Sequence, residues 1–262
     1  MKIIKIARIF GWMLWRDITL VKNDFLNKTF DAILWSTNSI LISNFLLTAF
    51  GTSSTFGIYI WVGTIVTMSF FESAEYAHEL VADITGDGHI KFLLTLPIPA
   101  WLVFVRIALA IAINCIALGI FIVPLGKVLL MNRLDLSQFS YIKFALIFLF
   151  SNVMFGFFGV LIASWAKGIG RFSIVRRRIF NPLWVWGGYQ FSWAILEKTF
   201  PQVAMLALLN PITYTFEGTR SAILGPENFI NFWYSLGAIF IFIGIFSVWG
   251  IKWMHQRLDF VA

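Results

Sequence analysis

Six long stretches of the chain contain no Asp, Glu, Lys, Arg or His in their interiors. A bilayer's hydrocarbon core needs about 20 predominantly apolar residues per helix, and one charge at its centre costs about 3 kcal/mol. A water-soluble protein has no comparable reason to keep ionisable groups out of six segments. The sequence therefore predicts an all-α polytopic membrane protein, with one transmembrane domain over residues 1–262 and six transmembrane helices over residues 32–50, 56–71, 107–125, 144–166, 179–196 and 229–251.

The basic residues predict how the chain is oriented. The net charge of +7 is compatible with nucleic-acid binding, but the location of the charges favours topology. With a cytoplasmic N-terminus, 15 of the 20 Lys and Arg residues fall on the inner side, as the positive-inside rule requires. We therefore expect an integral protein of the bacterial cytoplasmic (inner) membrane, with both termini cytoplasmic, contacts with membrane lipid and no nucleic-acid partner.

The N-terminal residues 1–28 predict an amphipathic helix lying on the membrane surface. Apolar residues recur there at helical spacing, and Trp12 and Trp15 accompany the basic residues of the other face. A flank that only sets topology explains the same pattern. Arg8 and Asp17 interrupt the apolar run, so we do not expect a cleavable signal peptide.

Residues 72–106 predict a cytoplasmic segment between the second and third spans. Its four carboxylates, Glu72, Glu75, Glu79 and Asp83, are three or four residues apart and so share one helical face. His78-Glu79 lacks the second His of a zinc-binding helix, so we expect a solvated face or one that docks a partner. A short amphipathic segment follows over residues 90–96 and ends at a proline.

Residues 197–228 predict external re-entrant helices between spans five and six. The segment is too apolar for a solvated loop, but its prolines prevent a full span. Two short helices that enter the membrane partway fit this composition, and Glu217 and Arg220 have the spacing of an ion pair. The basic loop before span five, which contains Arg176, Arg177 and Arg178, is either an inner-side anchor or a contact with anionic lipid or a partner.

Two motifs carry a resemblance to a known family. Residues 210–225 begin with an Asn-Pro pair, place Arg220 three residues after Glu217, and close a run of small residues and Leu on a Gly. This pattern resembles the signature of ABC-2 type transporter permeases, the membrane subunits of ATP-binding cassette exporters. Residues 88–97 are similar to that family's element after span two, with His89 and Lys91 in place of its usual Thr and Glu.

The resemblance implies a membrane subunit that forms a homodimer and associates with two copies of a separate ABC ATPase subunit. The segment after span two would be the coupling helix that docks on the ATPase, and His89 and Lys91 change the charge at that contact. The ATPase-coupling residues would be Glu79, Asp83, Gly88, Ile90, Phe92 and Leu93. The external re-entrant motif would comprise Asn210, Pro211, Glu217, Arg220 and Gly225.

The sequence also bears on the energy source. It contains no Gly-x4-Gly-Lys-Ser/Thr phosphate loop, and no predicted span holds an acidic residue that could relay protons. We therefore expect no catalytic residues, no metal and no cofactor on this chain, with ATP and Mg²⁺ bound by the partner.

The expected function is export of an amphiphilic, lipid-linked or hydrophobic substrate. The first span is rich in Ser, Thr and Asn, which indicates either helix packing or a water-accessible route. Candidate pathway residues are Asn38, Asn44, Trp184, Trp186, Tyr189 and Trp193. A channel or an ATPase-independent carrier is the main alternative. A membrane-embedded enzyme is a further one, although the three histidines are widely separated in the sequence.

Overall fold

A computed structural model describes residues 2–51, 56–86, 88–130, 136–166 and 168–259. Two residues of the predicted charge distribution, Arg133 and Lys167, lie outside the described residues, as do the side chains of Lys2, Lys22 and His89. Over the described ranges the fold is all-α, as the sequence predicts.

Ten helices follow one another in the described ranges. Helix α1 covers Lys2–Leu41 and continues through a π-helical turn, Ile42–Leu46, to Leu47–Ala49. Helix α6 likewise joins Ile169–Val175, a π-helical turn Arg176–Phe180 and Asn181–Trp186. The others are α2 (Phe56–Thr85), α3 (His89–Leu94), α4 (Ala100–Leu130), α5 (Tyr141–Trp165), α7 (Trp193–Thr199), α8 (Pro201–Ala207), α9 (Pro211–Leu224) and α10 (Phe232–Asp259).

Five helical segments of the described chain are long and apolar enough to cross a membrane. They are Phe25–Ala49, Phe56–Thr85, Ala100–Leu130, Tyr141–Trp165 and Phe232–Leu258. Helices of this length and composition indicate an integral membrane protein. Six spans are therefore not confirmed, because the predicted fifth span is not among these segments.

The predicted fifth span, residues 179–196, is interrupted in the middle. Helix α6 ends at Trp186, and Gly188 has a φ of +97°, a conformation that favours glycine and stops the helix. Pro182 also lacks the N–H that would bond four residues back. Just before Pro182, α6 contains the wider π-helical turn Arg176–Phe180. There the amide of Asn181 donates to the carbonyl of Arg176, five residues back.

The predicted boundary between an interfacial helix (1–28) and the first span is absent, because α1 is continuous there. One face of its N-terminal part packs on protein: Met13 lies in an apolar cluster with Leu93, Ile98 and Val103. Asp17 forms a buried ion pair with Arg106. An interfacial role for residues 1–28 stays a prediction.

Contacts between the helices define two ends of the bundle. We call the end that holds α3 the α3 end. Met13 of α1 packs there, and the ring of Phe104 of α4 contacts that of His255 of α10. At the α9 end, the amide of Ser140 donates to the carbonyl of Ala222 over 2.9 Å. Between them α2 forms the centre of the core, where Phe70 packs on the rings of Phe155, Phe158 and Phe180 at 5.4, 6.1 and 5.1 Å.

Candidate functional site

Helix α3 connects α2 and α4, two helices of spanning length, and is fixed firmly to α2. Gly88, at a φ of +70°, turns the chain, and the Asp83 carboxylate of α2 accepts a hydrogen bond from the amide of Ile90 over 2.8 Å. Ile90 and Leu93 are buried, whereas Lys91 is exposed and Phe92 is 61% exposed. The helix thus presents a cation and an aromatic ring on its outer face.

A cavity of about 380 Å³ lies beside α3, between α1, α2 and α4. Arg106 crosses it, donating to Asp17 through Nε over 2.6 Å and through a second, shorter contact from Nη2. Glu79 and Asp83 also line the cavity. Asp83 therefore both holds α3 in place and lines the cavity, and Glu79 lines the cavity as well. The ion pair joins residues 89 apart in the chain, and no spacing rule in the sequence indicates it.

A second cavity, of about 330 Å³, lies between α1, α2, α4 and α6, nearer to the start of α2 than the first cavity. We call it the charged groove. Two ion pairs lie in it. Lys28 Nζ is 2.8 Å from Glu72 Oε1, and Arg176 Nη1 is 2.5 Å from Glu75 Oε1. The groove is lined by Lys28, Asp31, Ala32, Trp35, Met68, Phe71, Glu72, Glu75, Leu118 and Arg176.

The charged groove corrects one expectation. Glu72 is only 8% exposed, so the prediction of a solvated carboxylate face is wrong at this residue. The expectation that no span holds an acidic residue stays a prediction: Asp31, Glu72 and Glu75 belong to the longer helices Phe25–Ala49 and Phe56–Thr85 but lie outside the predicted spans 32–50 and 56–71. Helix α2 continues past the predicted end of span two at residue 71.

Aromatic rings extend from the charged groove toward the α9 end. The ring of Phe71 lies 5.5 Å from that of Trp184, and Trp184 lies 4.8 Å from Tyr189. Trp35 of α1 approaches Tyr189 at 6.3 Å. The indole of Trp184 donates to Thr67 Oγ1 over 2.9 Å, which fixes its orientation. Two candidate pathway residues therefore lie together beside the groove.

The remaining candidate pathway residues are dispersed. Trp186 is exposed and lines an apolar groove against α8, while the Trp193 indole donates to the carbonyl of Ala204 over 3.0 Å. Asn44 is buried against Gly57, and Asn38 is exposed on α1, three residues after Trp35.

The motif residues of α9 tie distant segments together. Arg220 is fully buried and donates to the carbonyls of Gly188, Tyr189 and Phe191 over 2.7, 2.8 and 3.1 Å. Its guanidinium carbon lies 3.5 Å from the centre of the Tyr59 ring, a cation–π contact. Arg220 thereby supplies the donors that the break after α6 needs.

The carboxylate of Glu217 joins the starts of two other helices. It accepts hydrogen bonds from the amides of Trp193, at the start of α7, and Ile230, just before α10, each over 3.1 Å. Arg220 lies 3.7 Å away, which confirms the predicted pair. Burial raises the pKa of Glu217, while Arg220 and the two amides oppose the shift.

The ends of α9 follow from its first and last motif residues. The Asn210 side chain accepts from the amide of Ile212 over 3.0 Å and donates to the carbonyl of Leu183 over 2.7 Å. Pro211 occupies the first helical position, where a missing N–H costs nothing. Gly225, at a φ of +94°, ends the helix. These motif residues therefore have a clear architectural role in this fold, while a re-entrant course of the segment stays a prediction.

The described residues offer no group of three or more His, Cys, Asp and Glu side chains placed to hold a metal ion. Comparison with known protein families and with characterised proteins gives no match.

Proposed function

We propose that this protein is the permease subunit of an ATP-binding cassette transporter and exports an amphiphilic, lipid-linked or hydrophobic substrate across the cytoplasmic membrane. In this proposal ATP is bound and hydrolysed by two copies of a separate partner subunit, and two copies of this chain form the membrane part. The observation that carries the proposal is helix α3.

Helix α3 has the properties that a coupling element needs. It sits at the turn between two spanning helices, and Asp83, Ile90 and Leu93 fix it to the bundle. A push on its exposed Phe92 would therefore move α2 and α4 with it rather than bend a loose loop. An exposed aromatic ring beside a cation is also typical of the anchor residues by which interfaces are held.

The proposal is tested by replacing Phe92 with Asp in the permease–ATPase complex reconstituted in vesicles. We expect substrate-stimulated ATP hydrolysis to fall at least about tenfold, because a buried interfacial anchor is commonly worth 2 kcal/mol or more, about 30-fold in affinity. The measurements are ATPase rate with and without substrate, and the amount of ATPase that co-purifies.

Tyr141→Asp is the matched control, because Tyr141 is 79% exposed, is the first residue of α5 and lies outside both α3 and the segment 197–228. It should insert and co-purify with the ATPase as the unchanged protein does. Full coupling in the Phe92→Asp complex would contradict the proposed docking surface.

A carrier driven by an ion gradient is the second candidate, and one observation favours it. Asp31, Glu72 and Glu75 belong to helices long and apolar enough to span a membrane, and ionisable residues inside a membrane commonly mark ion or proton routes. Transport by the purified chain alone, driven by a proton or sodium gradient, would favour this candidate over the ATPase-dependent one.

A further inference from the structure

The charged groove is open on the single chain. Asp31 is exposed, and the side chain of Glu75 is 45% exposed. The two residues belong to helices of spanning length, and a charge held in hydrocarbon costs about 3 kcal/mol at the centre of a helix. We therefore expect the groove to open onto water or protein rather than acyl chains, where a solute can reach it.

The groove carries an excess of negative charge. Three carboxylates line it, Asp31, Glu72 and Glu75, against the two cations Lys28 and Arg176. Each cation is already paired, Lys28 with Glu72 and Arg176 with Glu75. Among the described residues of the lining, no third cation balances the charge of Asp31. The net charge of the lining is thus −1, which favours a monovalent cation.

Aromatic faces stand beside this uncompensated carboxylate. Trp35 follows Asp31 by one helical turn on α1, and its ring is partly exposed. Phe71 lines the opposite wall on α2 and leads to Trp184 and Tyr189. Aromatic faces attract organic cations through the ring quadrupole, and most strongly where water is scarce.

We propose that the charged groove binds an amphiphilic organic monocation, with its cationic centre at Asp31 and its apolar part against Trp35, Phe71 and Trp184. The proposal rests on the proposed function in identifying this ligand as the exported cargo. The cavity volume of about 330 Å³ is in the range of small-molecule sites, which run from roughly 300 to 1,000 Å³.

The same lining disfavours an anionic headgroup. A phosphate in the groove would meet Asp31 as well as Glu72 and Glu75, and to bind Lys28 or Arg176 it would have to displace a carboxylate already within 2.8 or 2.5 Å. A bare metal ion is disfavoured as well, because these carboxylates are not placed as a metal-holding group.

The test compares tetraphenylphosphonium with tetraphenylborate, which have nearly the same shape and opposite charge. Equilibrium binding is measured on the full chain in lipid nanodiscs, with empty nanodiscs subtracted. We expect Asp31→Asn to weaken tetraphenylphosphonium binding about tenfold and Trp35→Leu to weaken it severalfold, with no loss of tetraphenylborate binding. Asp31→Glu should restore tetraphenylphosphonium affinity.

Glu227→Gln is the control, because Glu227 is an exposed carboxylate outside the groove. Its affinity for tetraphenylphosphonium should equal that of the unchanged chain. Equal affinity of the Asp31→Asn variant and the unchanged chain would overturn the proposal, and so would tetraphenylborate binding, measured separately, that is as tight as tetraphenylphosphonium binding.

The outcomes separate this proposal from the proposed function. If an ATPase co-purifies but Asp31→Asn leaves tetraphenylphosphonium binding unchanged, the cargo assignment is wrong and the transporter assignment stands. If binding depends on Asp31 but no ATPase associates with the chain, the groove is a cation site and the ATP-driven function is wrong.

Discussion

At the scale of single residues, Arg220 has the largest set of interactions in the candidate site. It satisfies three backbone carbonyls of the break after α6, contacts Tyr59 and lies near Glu217. A buried charge is costly unless it is paired and hydrogen-bonded, and this one is both. The break after α6 therefore depends strongly on this one side chain.

We predict that Arg220→Leu destabilises the protein by about 3–5 kcal/mol, because it leaves Glu217 buried without its cation and three carbonyls without donors. Unfolding in mixed detergent measures the change. Arg178→Leu, at an exposed position, should stay within about 0.5 kcal/mol. Equal stability of the two variants would show that Arg220 is not needed for the fold.

The sequence predicts this site only in part. The spacing of Glu217 and Arg220 indicates their pair, because residues three apart meet on a helix. The sequence does not indicate the carbonyl acceptors of Arg220. They lie at the helix break after Trp186, within the apolar stretch 179–196 that predicts one continuous span. The charged groove is equally hidden, because Lys28 and Glu72 are brought together by tertiary packing alone.

At the scale of helices, glycines set how closely the spans approach. A Cβ atom on Gly156 of α5 would collide with the carbonyl of Ala108 on α4, whereas Gly244 of α10 has open space around it. Small residues at such crossings allow close backbone packing, which is a main source of helix association in lipid.

Gly156→Ala is therefore expected to destabilise the α4–α5 contact by about 1–3 kcal/mol, because the added methyl group forces the two backbones apart. Gly244→Ala adds the same atom without a clash and should be neutral or stabilising by up to about 1 kcal/mol. Thermal unfolding of both purified variants tests the contrast. A reversed order would refute the packing argument.

Apolar length predicts most of the helices and misses two boundaries. It finds the long helices because a hydrocarbon core imposes one minimum length on all of them. It fails at 179–196, where Gly188 stops the helix. It also fails at 28–32, where Lys28 and Asp31 resemble a boundary between an interfacial helix and a span but form one wall of the charged groove on a continuous helix.

At the scale of the whole molecule, the contacts of both terminal helices place them at the α3 end. Met13 of α1 packs beside Leu93, and His255 of α10 contacts Phe104 near the start of α4. Since five segments of the described chain have spanning length and none of them lies between α5 and α10, the chain between these two helices has to return to the α9 end through α6 and the short helices α7 to α9.

This arrangement predicts which positions share a compartment. In a Cys115→Ala background, Lys91→Cys should react with an impermeant thiol reagent only in inside-out vesicles. Glu227→Cys should react only in intact cells, because the two exposed residues lie at opposite ends of the bundle. Labelling of both from the same side would contradict the predicted topology and with it the inward docking of α3.

The unbroken course of α1 has a mechanical consequence. Asp17, paired near α3, and Asp31, in the charged groove, belong to one continuous helix and are about 21 Å apart at 1.5 Å per residue. A continuous helix tilts as a stiff rod. A shift of α3 that moves the Asp17 end of α1 would therefore tilt the whole helix. The tilt would change the width of the charged groove at Asp31 directly.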